Sequence, residues 1–105
     1  MEKAARKVVF LPKAEFSIFQ FYAYIVEEGY PERAEHFKNQ LYDFGKSLAK
    51  APSGHAMCSQ PQLAKRNLRC AVFKKNYIFV YKLIDDEVVI FNVIHSRTNP
   101  EHFST

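Results

Sequence analysis

The chain has 105 residues, of which 48% are hydrophobic and 25% charged, and its formal net charge is +4. This composition excludes a disordered chain, and the length suits one domain with a single core. No apolar run approaches the roughly 20 residues that cross a membrane, and the charged start Met1–Lys7 is unlike a signal peptide. We therefore expect one cytoplasmic domain over residues 1–105. Cys58 and Cys70 match no zinc-binding spacing, so we expect reduced thiols, no metal and no cofactor.

The first half of the chain predicts a strand followed by two helices. Lys7–Leu11 is a short β-branched and aromatic run, and Pro12 ends it. Apolar residues at helical spacing then predict helices over residues 14–28 and 31–49. These residues are Ile18, Phe19, Tyr22, Ile25 and Val26 in the first helix, and Ala34, Phe37, Leu41, Phe44 and Leu48 in the second. The link Gly29-Tyr30 is so short that the helices should form an antiparallel hairpin.

The second half predicts a long loop and three strands. Residues 51–67 contain two prolines and a glycine and are loop-like. Strand-like runs follow at Leu68–Lys74, Tyr77–Ile84 and Glu87–Ser96, separated by short turns. The predicted order is therefore β-α-α-β-β-β, an α+β fold in which an antiparallel sheet packs on the helical hairpin.

Two-residue turns in both hairpins would place Val72 opposite Phe79 and Tyr81 opposite Ile90. One face, expected against the helices, is then Leu68, Cys70, Val72, Tyr77, Phe79, Tyr81, Leu83, Val88, Ile90 and Ile94. The other face is Arg69, Ala71, Phe73, Ile78, Val80, Lys82, Val89, Phe91, Val93, His95 and Arg97. This second face is apolar at its centre and cationic at its margins, which predicts a binding surface. Two alternatives stay open: a terminal segment covers this face, or a different turn length flips the last strand.

Charge is distributed unevenly along the chain. From Phe44 to Ile84 there is no Asp or Glu, whereas eight lysines and arginines lie in that stretch. A region of one sign attracts polyanions, such as nucleic acid or an acidic protein segment.

The segment "NLRCAVFKKNYIFVYKLIDDEVVIFNVIHSRTNPEHF" resembles the C-terminal sheet of the RelE/ParE superfamily, the toxins of type II toxin–antitoxin (plasmid stabilisation) systems. The resemblance depends on Arg69, on the spacing of Tyr77 and Tyr81, on the acidic turn, and on the ending His95-Ser96-Arg97-x-x-Pro100. The upstream strand and two helices agree with it, so it covers nearly the whole chain. It implies a small basic toxin, inactive while bound to an antitoxin encoded beside it.

The superfamily contains two activities. RelE-like members cleave mRNA on the ribosome, which requires an acid, a base and cations to stabilise the phosphorane. The resemblance implies catalytic roles for Arg69, His95 and Arg97 in that case, but Ala71 and Ile78 stand where two further cations are expected. ParE-like members inhibit DNA gyrase by binding, with no chemical step.

We therefore expect a ParE-like inhibitor of DNA gyrase that acts by binding. The chain would be an enzyme only if it were an mRNA endoribonuclease. A RelE-like mRNA endoribonuclease and a degenerate toxin that only binds its antitoxin are the alternatives. The expected partners are an acidic antitoxin and the gyrase or ribosome target, with the toxin forming a homodimer or a hetero-oligomer with the antitoxin. The residues expected to bind antitoxin or target are Arg69, Phe73, Ile78, Val80, Lys82, Phe91, Val93, His95 and Arg97.

Overall fold

The computed structural model describes residues 4–96. Three helices and a four-stranded sheet follow one another along the chain. They are β1 (Lys7–Phe10), α1 (Pro12–Glu27), α2 (Pro31–Ser47), α3 (Pro61–Lys65), β2 (Arg69–Phe73), β3 (Tyr77–Ile84) and β4 (Glu87–His95). The predicted order of elements is confirmed, with the addition of α3 inside the stretch expected to be a loop. Among the described helices, none is long and apolar enough to cross a bilayer.

The helical hairpin begins and ends where the sequence indicates. Pro12 and Pro31 occupy the first turns of α1 and α2, where a missing backbone N–H is no loss. Gly29 has a φ of 98°, and its N–H donates to the carbonyl of Val26 while that of Tyr30 donates to the carbonyl of Ile25. This pair of bonds is the Schellman ending, which requires a left-handed residue and so favours glycine. The chain therefore reverses within a few residues, and α1 and α2 pack side by side.

The sheet has the strand order β1-β4-β3-β2 and is mixed. Strands β2, β3 and β4 pair in antiparallel fashion as predicted, whereas β1 pairs parallel to β4, with Val8 opposite Val88. The three C-terminal strands thus form the expected antiparallel part of the sheet, and β1 adds one parallel pair at its edge. The helical hairpin returns the chain to the end of the sheet at which β1 began. Strands β2, β3 and β4 then alternate in direction, so the last of them runs parallel to β1.

The main core lies between the helical hairpin and one face of the sheet. Its fully buried residues come from both layers: Ala14, Ile18, Leu41, Leu48, Ala71, Phe79, Tyr81, Val88, Ile90 and Val93. Gly45 sets the distance between α2 and the sheet, because a Cβ there would lie 2.5 Å from the ring of Phe10 and 2.9 Å from Cδ1 of Ile90. Helix α2 therefore contacts the sheet through its backbone at this point.

A second, smaller cluster lies on the opposite face of the sheet. Helix α3 and the segments around it cover part of that face, and the buried residues are Cys58, Leu63, Leu68, Val80 and Ile94. The N–H of Cys58 donates to the carbonyl of Leu68, and that of Cys70 donates to the carbonyl of Ala56. An internal segment thus covers part of the face expected to be open.

The two faces of the sheet differ from the prediction because both hairpins have irregularities. The loop Lys74–Asn76 is one residue longer than predicted, so Val72 pairs with Ile78 and not with Phe79. Tyr81 does pair with Ile90, but Val80 pairs with Asn92, because a β-bulge leaves Phe91 as an extra residue. Each irregularity moves the residues beyond it to the opposite face. Ala71, Phe73 and Val93 consequently face the helices, and Leu68, Cys70 and Ile94 lie on the outer face.

The expectation of two reduced thiols is also wrong, since Cys58 and Cys70 form a disulfide bond. The backbone bonds between the 56–58 segment and β2 place the two Cα atoms 4.9 Å apart, within the range that a disulfide spans. The crosslink closes a loop that contains α3. It thereby fastens the cover of the outer face to the edge of the sheet.

Reduction of this disulfide should destabilise the protein by about 2–3 kcal/mol, because a loop of this size regains conformational entropy in the unfolded chain. Urea unfolding with and without a dithiol reductant measures the difference. The variant with Cys58→Ser and Cys70→Ser should match the reduced protein and show no response to reductant. Equal stability of the oxidised and reduced wild-type protein would contradict the expectation.

Candidate functional site

The residues predicted to form one binding surface are distributed over both faces of the sheet. Phe73 and Val93 lie against the helices, and the ring of Phe73 packs 4.9 Å from that of Phe44. Val80 is buried beneath α3, with Ile78 and Phe91 packed against the same cluster. Lys82 lies on the outer face, opposite Val89. Arg97 is outside the described residues.

Arg69 has a structural partner that the sequence did not suggest. Its guanidinium Nη1 donates a hydrogen bond of 2.6 Å to the backbone carbonyl of His55. Nearby, the Tyr81 hydroxyl donates a buried hydrogen bond of 2.6 Å to the carbonyl of Pro52. These two bonds attach the segment before α3 to the start of β2 and the middle of β3. Arg69 thus acts as a tether for that segment in this structure.

His95 lies at the other end of the sheet, against Tyr77. The two rings meet edge to face with centroids 5.0 Å apart, and Tyr77 also packs against Phe21 and Phe37 of the helical hairpin. Burial raises the pKa of Tyr77, so its phenol keeps its proton at neutral pH and can donate a hydrogen bond. The structure therefore places a tyrosine beside the histidine, although none is close to it in sequence.

The expected catalytic residues do not meet in the described part of the chain. Arg69 pairs with Tyr81, whereas His95 pairs with Tyr77 at the opposite end of β3. Four residues of extended strand separate these positions by about 13 Å. Ala71 is fully buried in the main core, so that position offers no charge to a substrate. A single phosphate cannot contact both Arg69 and His95 in this arrangement.

Within residues 4–96, no three His, Cys, Asp or Glu side chains gather in a way that could hold a metal ion.

Three exposed aromatic side chains of α1 were missed by the sequence analysis. Phe16, Phe19 and Tyr24 are 59%, 58% and 65% exposed. Phe19 was expected in the buried stripe, but Ala14 and Ile18 are the buried residues of α1. The signal was present in the sequence, because Phe16, Phe19 and Ala23 are spaced as a second helical stripe beside the first. Tyr24 lies off this stripe, so we call Phe16 and Phe19 the α1 aromatic surface.

The fold matches those of toxin–antitoxin systems. The chromosomal ParDE toxin–antitoxin system from P. aeruginosa contains a chain that superposes with a TM-score of 0.72 at 14% identity, covering 85% of this chain and 94% of that chain. The toxin–antitoxin complex RelBE2 from Mycobacterium tuberculosis gives a TM-score of 0.65 at 20% identity, covering 90% and 94%. No curated protein sequence matches the chain. The similarity in fold confirms the predicted RelE/ParE-like class.

The family follows from the sequence match. Residues 8–100 match the family described as "ParE toxin of type II toxin-antitoxin system, parDE". The chain therefore belongs to the ParE toxin family of type II toxin–antitoxin systems, as its resemblance to the RelE/ParE superfamily indicated.

Replacing Arg69 with methionine should loosen the segment before α3, because the apolar stem is kept while the bond to His55 is lost. We expect a loss of about 1–2 kcal/mol in stability and faster hydrogen exchange at the amides of Gly54 and Cys58. Lys65→Met, at an exposed position in α3, is the control and should change neither. Unchanged exchange in the Arg69 variant would show that the tether contributes nothing, and would leave Arg69 available for a role in target binding.

Proposed function

We propose that this protein inhibits DNA gyrase by binding to it, and that a cognate antitoxin neutralises it. The observation that carries the proposal is the ParE family match over residues 8–100. The geometry supports it, because Arg69 and His95, two of the residues expected to serve RNA cleavage, lie too far apart to contact one phosphate. Inhibition by binding needs no set of converging catalytic groups, only a complementary surface.

The second candidate is ribosome-dependent cleavage of mRNA, and one contact favours it. His95 and Tyr77 pack together, so an acid and a base for proton transfer would lie side by side. The distance of Arg69 from this pair weighs against the nuclease, since the developing charge on the phosphorane needs cations close to it. We therefore place gyrase inhibition first.

Purified protein should inhibit DNA supercoiling by gyrase and leave mRNA intact on ribosomes. Arg97→Ala should weaken both the inhibition and the growth arrest, because the resemblance to the superfamily implies that Arg97 takes part in target binding. Lys65→Ala is the control for loss of one exposed positive charge. The supercoiling assay and a cell-growth assay measure these effects.

The alternatives give different results in the same assays. Cleavage of mRNA that depends on ribosomes, with normal supercoiling, would replace the proposal by the nuclease. Neither activity, with antitoxin binding intact, would indicate a degenerate toxin. Full inhibition by Arg97→Ala would remove that residue from the proposed site.

The partner that neutralises the toxin should be an acidic chain with an amphipathic helix. The α1 aromatic surface offers apolar anchor points at helical spacing, which suits a helix laid across the hairpin. The acid-free stretch from Phe44 to Ile84 would attract an acidic chain to this domain. Phe91, expected to face outward, is instead packed on the second cluster beneath the guanidinium of Arg66. The exposed ring of Phe19 is therefore the better position at which to test the interface.

Association of toxin and antitoxin should slow markedly as salt is raised, while dissociation should change little, because long-range charge affects encounter more than the final contacts. Phe19→Glu should instead raise the dissociation rate by at least about tenfold, because the complex would lose an apolar side chain that the antitoxin buries when it binds. Gln20→Glu adds the same charge at the neighbouring exposed position and should have a smaller effect. Stopped-flow kinetics across a salt series measures both rates. A salt-independent association rate would mean that the acid-free stretch from Phe44 to Ile84 binds a ligand other than the antitoxin.

A further inference from the structure

A cavity of about 320 Å³ lies between the helical hairpin and the loop that joins β2 to β3. Residues from α1, α2, the loop and the start of β3 line it: Ile25, Arg33, His36, Phe37, Gln40, Lys74 and Tyr77. Its position is remote from the Arg69 tether, and it is separate from the α1 aromatic surface. Its size is at the lower end of the range for small-molecule sites.

The lining of this cavity carries positive charge and no carboxylate. Arg33 of α2 and Lys74 of the loop are permanent cations, and His36 adds an imidazole. The nearest acids along α2 are engaged elsewhere or line another hollow. Glu35 pairs with Lys38 at 3.0 Å, and Glu32 lines, together with Arg33, an adjoining hollow beside Gly29. Within residues 4–96, the two ion pairs, Arg6–Glu87 and Lys38–Glu35, include neither Arg33 nor Lys74.

Aromatic rings position both cations before any ligand binds. The guanidinium carbon of Arg33 lies 4.5 Å from the ring centroid of Tyr30, and Nζ of Lys74 lies 5.8 Å from that of Phe73. Cation–π contacts of this kind hold a charged group against a ring while its other N–H donors still point away from the ring. Lys74 and Lys75 also adopt positive φ angles of 51° and 67°, an uncommon conformation for lysine. The cation–π contacts thus bring each cation against a ring, which lowers the entropy that binding an anion would cost.

The apolar side of the cavity is a fixed aromatic wall. The rings of Phe37 and Tyr77 pack with centroids 5.0 Å apart, and Phe21 supports Tyr77 from the other side at 5.2 Å. Gln40 adds an amide that both donates and accepts hydrogen bonds. A flat ring with polar edges would find both a stacking surface and a hydrogen-bonding group here.

We propose that this cavity binds a nucleoside monophosphate, with the phosphate between Arg33 and Lys74 and the base against Phe37 and Tyr77. Two permanent positive charges match a phosphomonoester, which carries nearly two negative charges at neutral pH. A single carboxylate would neutralise only one of them. The cavity volume accommodates one nucleotide and not a folded peptide. The ligand would be a free nucleotide or the phosphorylated end of a nucleic acid, and this binding is independent of gyrase inhibition.

Isothermal titration calorimetry with the full chain tests the site, with AMP as the probe. Adenosine and inorganic phosphate, each lacking one half of the ligand, should bind at least about tenfold more weakly than AMP. Arg33→Gln and Lys74→Gln should each weaken AMP binding by about tenfold or more. Lys46→Gln removes the same charge from the exposed last turn of α2 and should leave AMP affinity unchanged.

The outcomes separate the sources of the ligand. A 5′-phosphorylated oligonucleotide that binds more tightly than AMP would identify a nucleic-acid end, whereas preference for AMP would identify a free nucleotide. The proposal is overturned if adenosine binds as well as AMP, if AMP fails to bind at millimolar concentration, or if Lys46→Gln weakens binding as much as the cavity variants do. A supercoiling assay on Arg33→Gln keeps the two functions apart, because gyrase inhibition should persist when AMP binding is lost.

Discussion

Strand β4 is held on every side, and the rest of the molecule is arranged around it. Strands β1 and β3 pair with its two edges, while Val88, Ile90 and Val93 pack into the main core. Ile94 packs into the second cluster on the opposite face. The bulge in β4 is itself bound to α1, because the Ser17 hydroxyl donates a hydrogen bond of 2.6 Å to the side-chain oxygen of Asn92. A strand enclosed in this way must be apolar along most of its length, which accounts for the sequence VVIFNVI.

The same arrangement separates the apolar and the charged surfaces of the toxin. Both faces of the central strands are used in packing, and Phe16, Phe19 and Tyr24 are exposed on α1. The stretch from Phe44 to Ile84 carries eight lysines and arginines and no Asp or Glu. A binding partner can therefore be attracted by one part of the molecule and anchored on another.

The sequence predicts the helices and strands of this fold well. It predicts less well which face of the sheet each strand residue occupies. Prolines, Gly29 and the helical spacing of apolar residues are local signals, and they predict the hairpin to within a few residues. The face of a strand residue depends instead on the number of residues in each turn. Lys74 and Lys75 adopt left-handed conformations that glycine or asparagine would normally signal, so the longer loop left no mark in the sequence.

The candidate site was correspondingly harder to predict than the fold. Arg69 and His95 were placed on the outer face by pairing, yet the loop and the bulge turn both to the helix-facing side, where they lie at opposite ends of the sheet. Helix α3, which covers part of the outer face of the sheet, has five residues, and Leu63 is the buried one. Such a short element has too little periodicity to be recognised, and the cysteine pair that fastens it is visible only once the backbone brings both residues together.

The parallel pairing of β1 with β4 has a consequence for how the toxin is made. Val8 pairs with Val88, so the first strand has no partner until almost the whole chain has left the ribosome. Contacts between such distant parts of a sequence form late, because the intervening chain must first be ordered. The sheet, and with it the main core, can therefore close only after β4 has been synthesised. Until then, the apolar residues that β1 and the helical hairpin contribute to the core lack their partners on β4.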